Sequence, residues 1–338
     1  MRILIATDAW TPQINGVVVT LRNTIDVLES EGHVVETIGP DRFRSIPCPT
    51  YPEIRLALRP YPRFAELAST FRPDAIHVAT EGPVGQAART FCLRNGLAFT
   101  TAYHTRFPEY VHARIRLPLS ITYAWLRRFH RPSKAVMVPT PALHEHLDTQ
   151  GFKNLVRWTR GVDTRLFNPG PPRTAQWKGP VFMYVGRVAV EKGIDAFLAL
   201  DLPGSKVVVG DGPERANLMR RFPHAIFTGA KFGEELADHF RSADAFVFPS
   251  RTDTFGLVLL EAMACGTPCA AFPVTGPIDV IKPGVSGFLS DDLGAAAMDA
   301  LRLPREVVRA HALDFSWDRA TAQFLSHLHP NNAGTRTA

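Results

Sequence analysis

Phe248-Pro249-Ser250-Arg251-Thr252-Asp253-Thr254-Phe255-Gly256-Leu257-Val258-Leu259-Leu260-Glu261-Ala262-Met263-Ala264-Cys265-Gly266-Thr267-Pro268 is the stretch that decides the fold class. Ala245–Phe248 is a short apolar run of strand length, and Ser250 to Thr254 make a polar loop. Gly256 opens an apolar helix, Gly266 stands where a helix C-cap belongs, and Thr267–Ala271 begins another strand. A strand, loop, helix and strand within so few residues form a βαβ unit, which demands a parallel sheet with crossover helices. Asp253 lies in the loop ahead of the free helix N–H groups. Glu261 sits inside the apolar helix, where an unpaired carboxylate is costly. Its partner is either an internal cation or the hydroxyls of a ligand.

The same alternation runs outward in both directions. Strands are predicted at Arg2–Ala6, Val34–Ile38, Ala75–Val78, Ala98–Ala102, Ala135–Val138 and Leu155–Trp158, with helices over 17–30, 61–71, 83–95, 114–130 and 141–150. Asn168-Pro169-Gly170-Pro171-Pro172 can be neither helix nor inner strand. After it the alternation restarts, with strands at Val181–Val185, Lys206–Val209 and Ala225–Phe227 ahead of the opening stretch. The expectation is an α/β chain of two doubly wound, Rossmann-like domains facing across a cleft. Residues 1–165 form the first, 166–173 the linker and 174–315 the second, and a last helix at 316–328 returns to the first. A length of 338 residues is too great for one ordinary core.

Charge is uneven along the chain. Residues 1–165 carry 21 Lys+Arg against 14 Asp+Glu, while the remainder carries 17 against 18. An excess confined to one half suits an anionic partner there, or a merely solvated basic face. No nucleic-acid motif accompanies it. The four cysteines form no CxxC pair, and no metal site is expected from them. No apolar run approaches the roughly 18 residues of a spanning helix, and Met1 to Ala6 reads as a buried strand instead of a signal peptide. A cytoplasmic protein is the expectation.

Further candidates stand at strand ends. Asn15-Gly16-Val17 follows the first strand, where backbone at a helix N-terminus favours anions. The absence of GxGxxG argues against a nicotinamide or flavin fingerprint. Gly186-Arg187 closes a strand, and Glu191-Lys192-Gly193 opens the next helix. Two cations at the carboxyl end of a parallel strand could neutralise a diphosphate. Gly210-Asp211-Gly212-Pro213 reads equally well as a tight turn before a helix.

In this order these residues, with Tyr103-His104-Thr105 and Gly161-Val162-Asp163, resemble the retaining, GT-B-fold glycosyltransferases of family 4 over nearly the whole chain. The resemblance implies a hexosyltransferase using a nucleotide diphosphate sugar, without metal or cofactor. It gives Arg187 and Lys192 the donor diphosphate, Glu261 the ribose and Asp253 the hydroxyls of the transferred sugar. Gly186, Phe255 and Gly256 join the donor site, Gly16 brings backbone to the phosphates, and His104 faces the sugar. Asp253 departs from the family pattern, which has glutamate there; its reach is about one methylene shorter.

The acceptor is expected from a second region. Arg106, Phe107, Tyr110, Arg114, Arg116, Trp125, Arg127 and Arg128 interleave cations with aromatics. That pattern suits an anionic bilayer interface, or an ordinary helix with its aromatics in the core. The resemblance is nearest to sulfolipid and glucuronosyl-diacylglycerol synthases and to lipid-directed α-mannosyltransferases. It implies a peripheral membrane enzyme with a lipid acceptor and a UDP-sugar favoured over GDP-mannose. A soluble or saccharide acceptor and a non-catalytic nucleotide-sugar or membrane binder are the alternatives.

Overall fold

The computed structural model describes residues 1–13, 15–48, 51–109, 116–171 and 177–331. Two compact units divide the chain: Met1–Thr159 together with the helix from Trp317, and Arg160–Ser316. The first unit contains β1 (Arg2–Ala6), β2 (Val34–Ile38), β3 (Ser45–Cys48), β4 (Tyr51–Ala57), β5 (Ala75–Val78), β6 (Thr100–Ala102), β7 (Val136–Val138) and β8 (Leu155–Arg157). Six of these form one sheet in the order β2-β1-β5-β6-β7-β8, every pair parallel. The second unit contains β9 (Val181–Val185), β10 (Ser205–Val209), β11 (Ile226–Gly229), β12 (Ala245–Phe248), β13 (Cys269–Ala271) and β14 (Gly287–Leu289). Its order is β11-β10-β9-β12-β13-β14, again parallel throughout. Each unit is Rossmann-like.

Burial explains the strands. β9, Val-Phe-Met-Tyr-Val, is buried at all five positions, as a strand covered by helices on both faces must be. In both sheets the chain lays down strands on one side of the first and then crosses to its other side. The reversal falls between β1 and β5 in one unit and between β9 and β12 in the other. At such a point successive loops diverge and leave a crevice beyond the strands' carboxyl ends.

The structure differs from the sequence expectation in several features, among them β14, which no predicted strand anticipates. Ser45–Cys48 and Tyr51–Ala57 pair as an antiparallel hairpin; Pro47, Pro49 and Pro52 disguise it, since proline removes ladder donors. The predicted helix over 114–130 begins at Leu119, because Pro118 holds an extended backbone (ψ 132°); residues 110–115 lie outside the described ones. The division between units falls after Thr159, ahead of the proline-rich segment. Trp158 is in the first core, whereas Val162 and Phe167 are already in the second.

The Trp317–His327 helix belongs to the first unit. Phe324 packs 4.9 Å from the rings of both His77 and Trp158, and Gln323 Oε1 accepts from the Thr159 N–H at 2.9 Å. Both amide groups of Asn331 bond the backbone of Ala98, pinning the chain beyond the helix. Among the described residues no helix is long and apolar enough to cross a membrane.

Candidate active site

The second unit's reversal point gathers the donor candidates. Arg187 and Lys192 follow β9, and Asp253 follows β12, the strand beside it. Lys192 Nζ donates to Asp253 Oδ1 at 2.6 Å, with the two side chains 18% and 19% exposed. Thr252 Oγ1 donates to the Glu191 carbonyl at 3.1 Å, so two contacts in register tie the loops together. Asp253 Oδ2 is buried and has no hydrogen-bond partner among the described residues. One carboxylate oxygen is therefore committed to lysine, and the other is an acceptor held in a water-poor place.

Arg187 is half-buried beside these groups. Burial pulls its pKa below the usual guanidinium value, and the nearby Glu191 carboxylate opposes that pull. A cation desolvated in this way gains from an added anion more than a surface arginine does. The Leu257–Ala264 helix supplies another attraction. Gly256, in the left-handed region at φ 87°, caps it with no side-chain acceptor, so its first N–H groups stay unclaimed by a cap.

Glu261 lies just over one turn into that helix and is half-buried. Its carboxylate has no hydrogen bond or ion pair among the described residues, so the internal cation allowed by the sequence reading is not there. Desolvation pushes its pKa up to about 7. Phe255 is placed differently from its neighbours. Its ring is buried in the core, edge-on to Phe315 at 6.4 Å, which leaves only its backbone available to a ligand.

Two glycine motifs that stand apart in the sequence prove to be one structure. A Cβ on Gly210 would lie 1.9 Å from the Gly186 carbonyl oxygen, and one on Gly212 would lie 2.3 Å from that of Val188. The loops after β9 and β10 pack backbone to backbone, with Val188 N–H donating to the Asp211 carbonyl at 2.9 Å. The Gly210-Asp211-Gly212 turn thereby braces the segment that carries Arg187. Sequence reasoning missed Thr252 and Gly276, whose missing side chain lets Asp253 O approach to 3.0 Å of the Cβ position. Thr252, adjoining Asp253 in a polar loop, was the available signal.

Gly16 and His104 belong to the first unit. Gly16 is the exposed first residue of the Gly16–Ser30 helix, whose Val17 and Val18 N–H groups are capped by Asn15 Oδ1 at 3.0 and 3.1 Å. His104 follows β6, half-buried and edge-on to Trp158 at 5.5 Å. The acceptor candidates separate into two kinds. Arg106 bonds Glu109 at 2.8 Å with a side chain only 17% exposed, and Tyr123 Oη joins the same carboxylate. Arg127 is half-buried and donates to the Gln150 carbonyl at 2.9 Å. Phe107 and Trp125 are exposed, with ring centroids 6.0 Å apart, and Arg116 and Arg128 are exposed with them. Tyr110 and Arg114 lie outside the described residues.

Comparison with known proteins identifies the family. A family model described as Glycosyltransferase Family 4 matches residues 14–166, and one described as Glycosyl transferases group 1 matches residues 179–304. A GDP-mannose-dependent alpha-mannosyltransferase of Mycobacterium tuberculosis is 31% identical over 315 residues, 86% of this chain and 83% of the relative. An alpha-monoglucosyldiacylglycerol synthase of Streptococcus pneumoniae is 27% identical, over 89% of this chain and 78% of that one. The solved structure of sucrose-phosphate synthase from Thermosynechococcus elongatus matches with a TM-score of 0.79 at 20% identity, covering 96% of this chain and 97% of its own. Similarity of that extent settles the family: the chain is a hexosyltransferase of glycosyltransferase family 4, built on the GT-B fold.

Proposed function

We propose that this chain transfers a hexose from a nucleoside diphosphate to a lipid acceptor at an anionic membrane surface, with retention of anomeric configuration. The observation that carries the donor half is the Lys192–Asp253 contact across neighbouring strand ends, with half-buried Arg187 on the same loop. On this reading the diphosphate lies against Arg187, Lys192 and the open N-terminus of the Leu257–Ala264 helix. As the bond to the sugar breaks, negative charge grows on the leaving phosphate oxygen. Fixed cations stabilise that charge more than they stabilise the bound donor, which is what accelerates the step. Asp253 accepts from hydroxyls of the sugar and Glu261 from those of the ribose. The leaving oxygen takes up the acceptor's proton on the face where the new bond forms, so no separate base is required.

The mycobacterial relative's name moves the donor from a UDP-sugar toward GDP-mannose. The pneumococcal relative's name, a diacylglycerol product, supports the lipid acceptor. So does the exposed Phe107–Trp125 pair, with Arg116 and Arg128 exposed on the same stretch of sequence, which matches the amphipathic chemistry of a bilayer interface. The test is nucleoside diphosphate release from a panel of GDP- and UDP-sugars, with and without diacylglycerol vesicles. Release from GDP-mannose only with vesicles, yielding an α-linked glycolipid, is the expected result. Release that ignores the vesicles points to a soluble acceptor and removes the lipid half. Nucleotide binding without release from any donor removes catalysis.

A further inference from the structure

A second cationic feature lies in the first unit, beside the amino ends of β7 and β8. A depression of about 560 Å3 opens between the end of the Leu119–His130 helix and the Gly151–Lys153 turn. Arg127, Arg128, Arg131 and Lys153 line it with Ala124, His130 and Phe152, and among the described residues no Asp or Glu does. These residues immediately precede β7 and β8, so the depression is at the amino ends of the parallel strands. The reversal point of the sheet, Gly16 and His104 all lie at the carboxyl ends. It is therefore separate from the first unit's share of the glycosyl-transfer machinery.

Two arginines in a helix's last turn and a third at its C-cap have a purely structural use, because they complement the helix dipole. That use does not explain Lys153, which comes from a different segment and converges on the same space. Nor does it explain why none of the four cations forms an ion pair among the described residues. The surrounding groups are already committed. Buried His130 keeps its ring nitrogens on Thr101 Oγ1 at 2.9 Å and Glu81 Oε1 at 3.2 Å. Arg127 is fixed by the Gln150 carbonyl, and its Cδ lies 3.6 Å from where a Gly151 Cβ would stand. Phe152 is buried, edge-on to Tyr103 at 5.9 Å, and makes a rigid floor. Four unopposed cations around a preformed hollow raise each other's cost until an anion enters.

We infer that this hollow binds a phosphate-bearing anion, either the headgroup phosphate of a lipid or a free phosphate. Arginine forks and a lysine ammonium suit tetrahedral oxyanions. The site does not depend on the donor reading, since its test involves no sugar nucleotide.

The experiment compares the wild-type chain with the Arg131→Ala/Lys153→Ala double variant; both residues are exposed, so the fold is retained. Inorganic phosphate is titrated calorimetrically at constant ionic strength, which removes general screening. In parallel, both proteins are sedimented with equimolar phosphatidylcholine–phosphatidylglycerol vesicles and with phosphatidylcholine alone. The expected result is phosphate binding weakened about tenfold or more in the variant. If vesicle retention falls in the variant too, and inorganic phosphate competes for it, the ligand is a lipid headgroup. If retention is unchanged while phosphate binding falls, the ligand is a free phosphate. Equal phosphate binding and equal vesicle retention in the two proteins overturn the site.

Discussion

The two sheets share one topology, yet their reversal points are furnished in opposite ways. In the first unit a carboxylate fills the space. Asp8, just after β1, accepts from Val84 N–H at 2.8 Å, Gly85 N–H at 3.2 Å and Thr80 Oγ1 at 2.9 Å. It thereby occupies the N-terminus of the Pro83–Arg94 helix from within, and desolvation raises its pKa against those hydrogen bonds. In the second unit the helix after β12 begins at Gly256 with no side-chain cap, and the neighbouring loop brings Arg187 and Lys192. At one reversal point a carboxylate caps the helix N-terminus; at the other the carboxylate, Asp253, pairs with Lys192 and leaves the helix N-terminus without a side-chain cap. On the proposed function, the same fold thus makes one domain closed to a phosphate at that position and the other receptive to it.

The largest expected effect comes from the receptive side. Lys192→Ala is expected to lower turnover by about 10²–10³-fold with an unchanged circular dichroism spectrum, because on the proposed function the missing charge is needed most as the diphosphate leaves. Turnover near wild type would break the comparison at its centre.

Glu261 supplies a pH-dependent effect. Its folded pKa, about 7, is above the ordinary 4.5, so the folded state holds its proton more tightly than the unfolded chain does. Its contribution is therefore full below about 4.5 and is lost as pH rises through about 7. Glu261→Gln should be more stable than wild type above that window by about 1–3 kcal/mol, and should show no such gain at pH 4. Denaturant melts across the range check this, and a constant difference would contradict it.

On the closed side, Asp8→Ala is expected to cost about 1–3 kcal/mol by stranding buried N–H groups, while leaving nucleoside diphosphate affinity unchanged. A loss of affinity without a loss of stability would reverse the two roles. The smallest effect is for metal removal: on the proposed function Arg187 and Lys192 supply the positive charge, so EDTA should leave turnover unaltered. A strong inhibition reversed by magnesium would replace that account.

Much of this was legible in the chain because parallel strands announce themselves as apolar runs. β9 and β12 stand within a residue of where the pattern puts them. Lys192 and Asp253 were legible as types at strand ends, but their direct contact was not, since 61 residues separate them and only strand order makes them neighbours. Phe255 shows that a ring's direction was not legible either. Motif position grouped it with ligand contacts, whereas its ring follows the apolar demand of the core. The β3–β4 hairpin was hidden by prolines, and the brace between Gly186 and Gly210 depends on a backbone approach that no spacing reveals.

The most direct test of the contrast is a calorimetric titration of GDP and UDP into wild type, Lys192→Ala and Asp8→Asn. The account predicts that Lys192→Ala weakens binding of the preferred nucleotide by more than about tenfold, while Asp8→Asn binds as wild type does. Full binding by Lys192→Ala together with loss in Asp8→Asn would place the diphosphate at the first unit's reversal point and contradict the account.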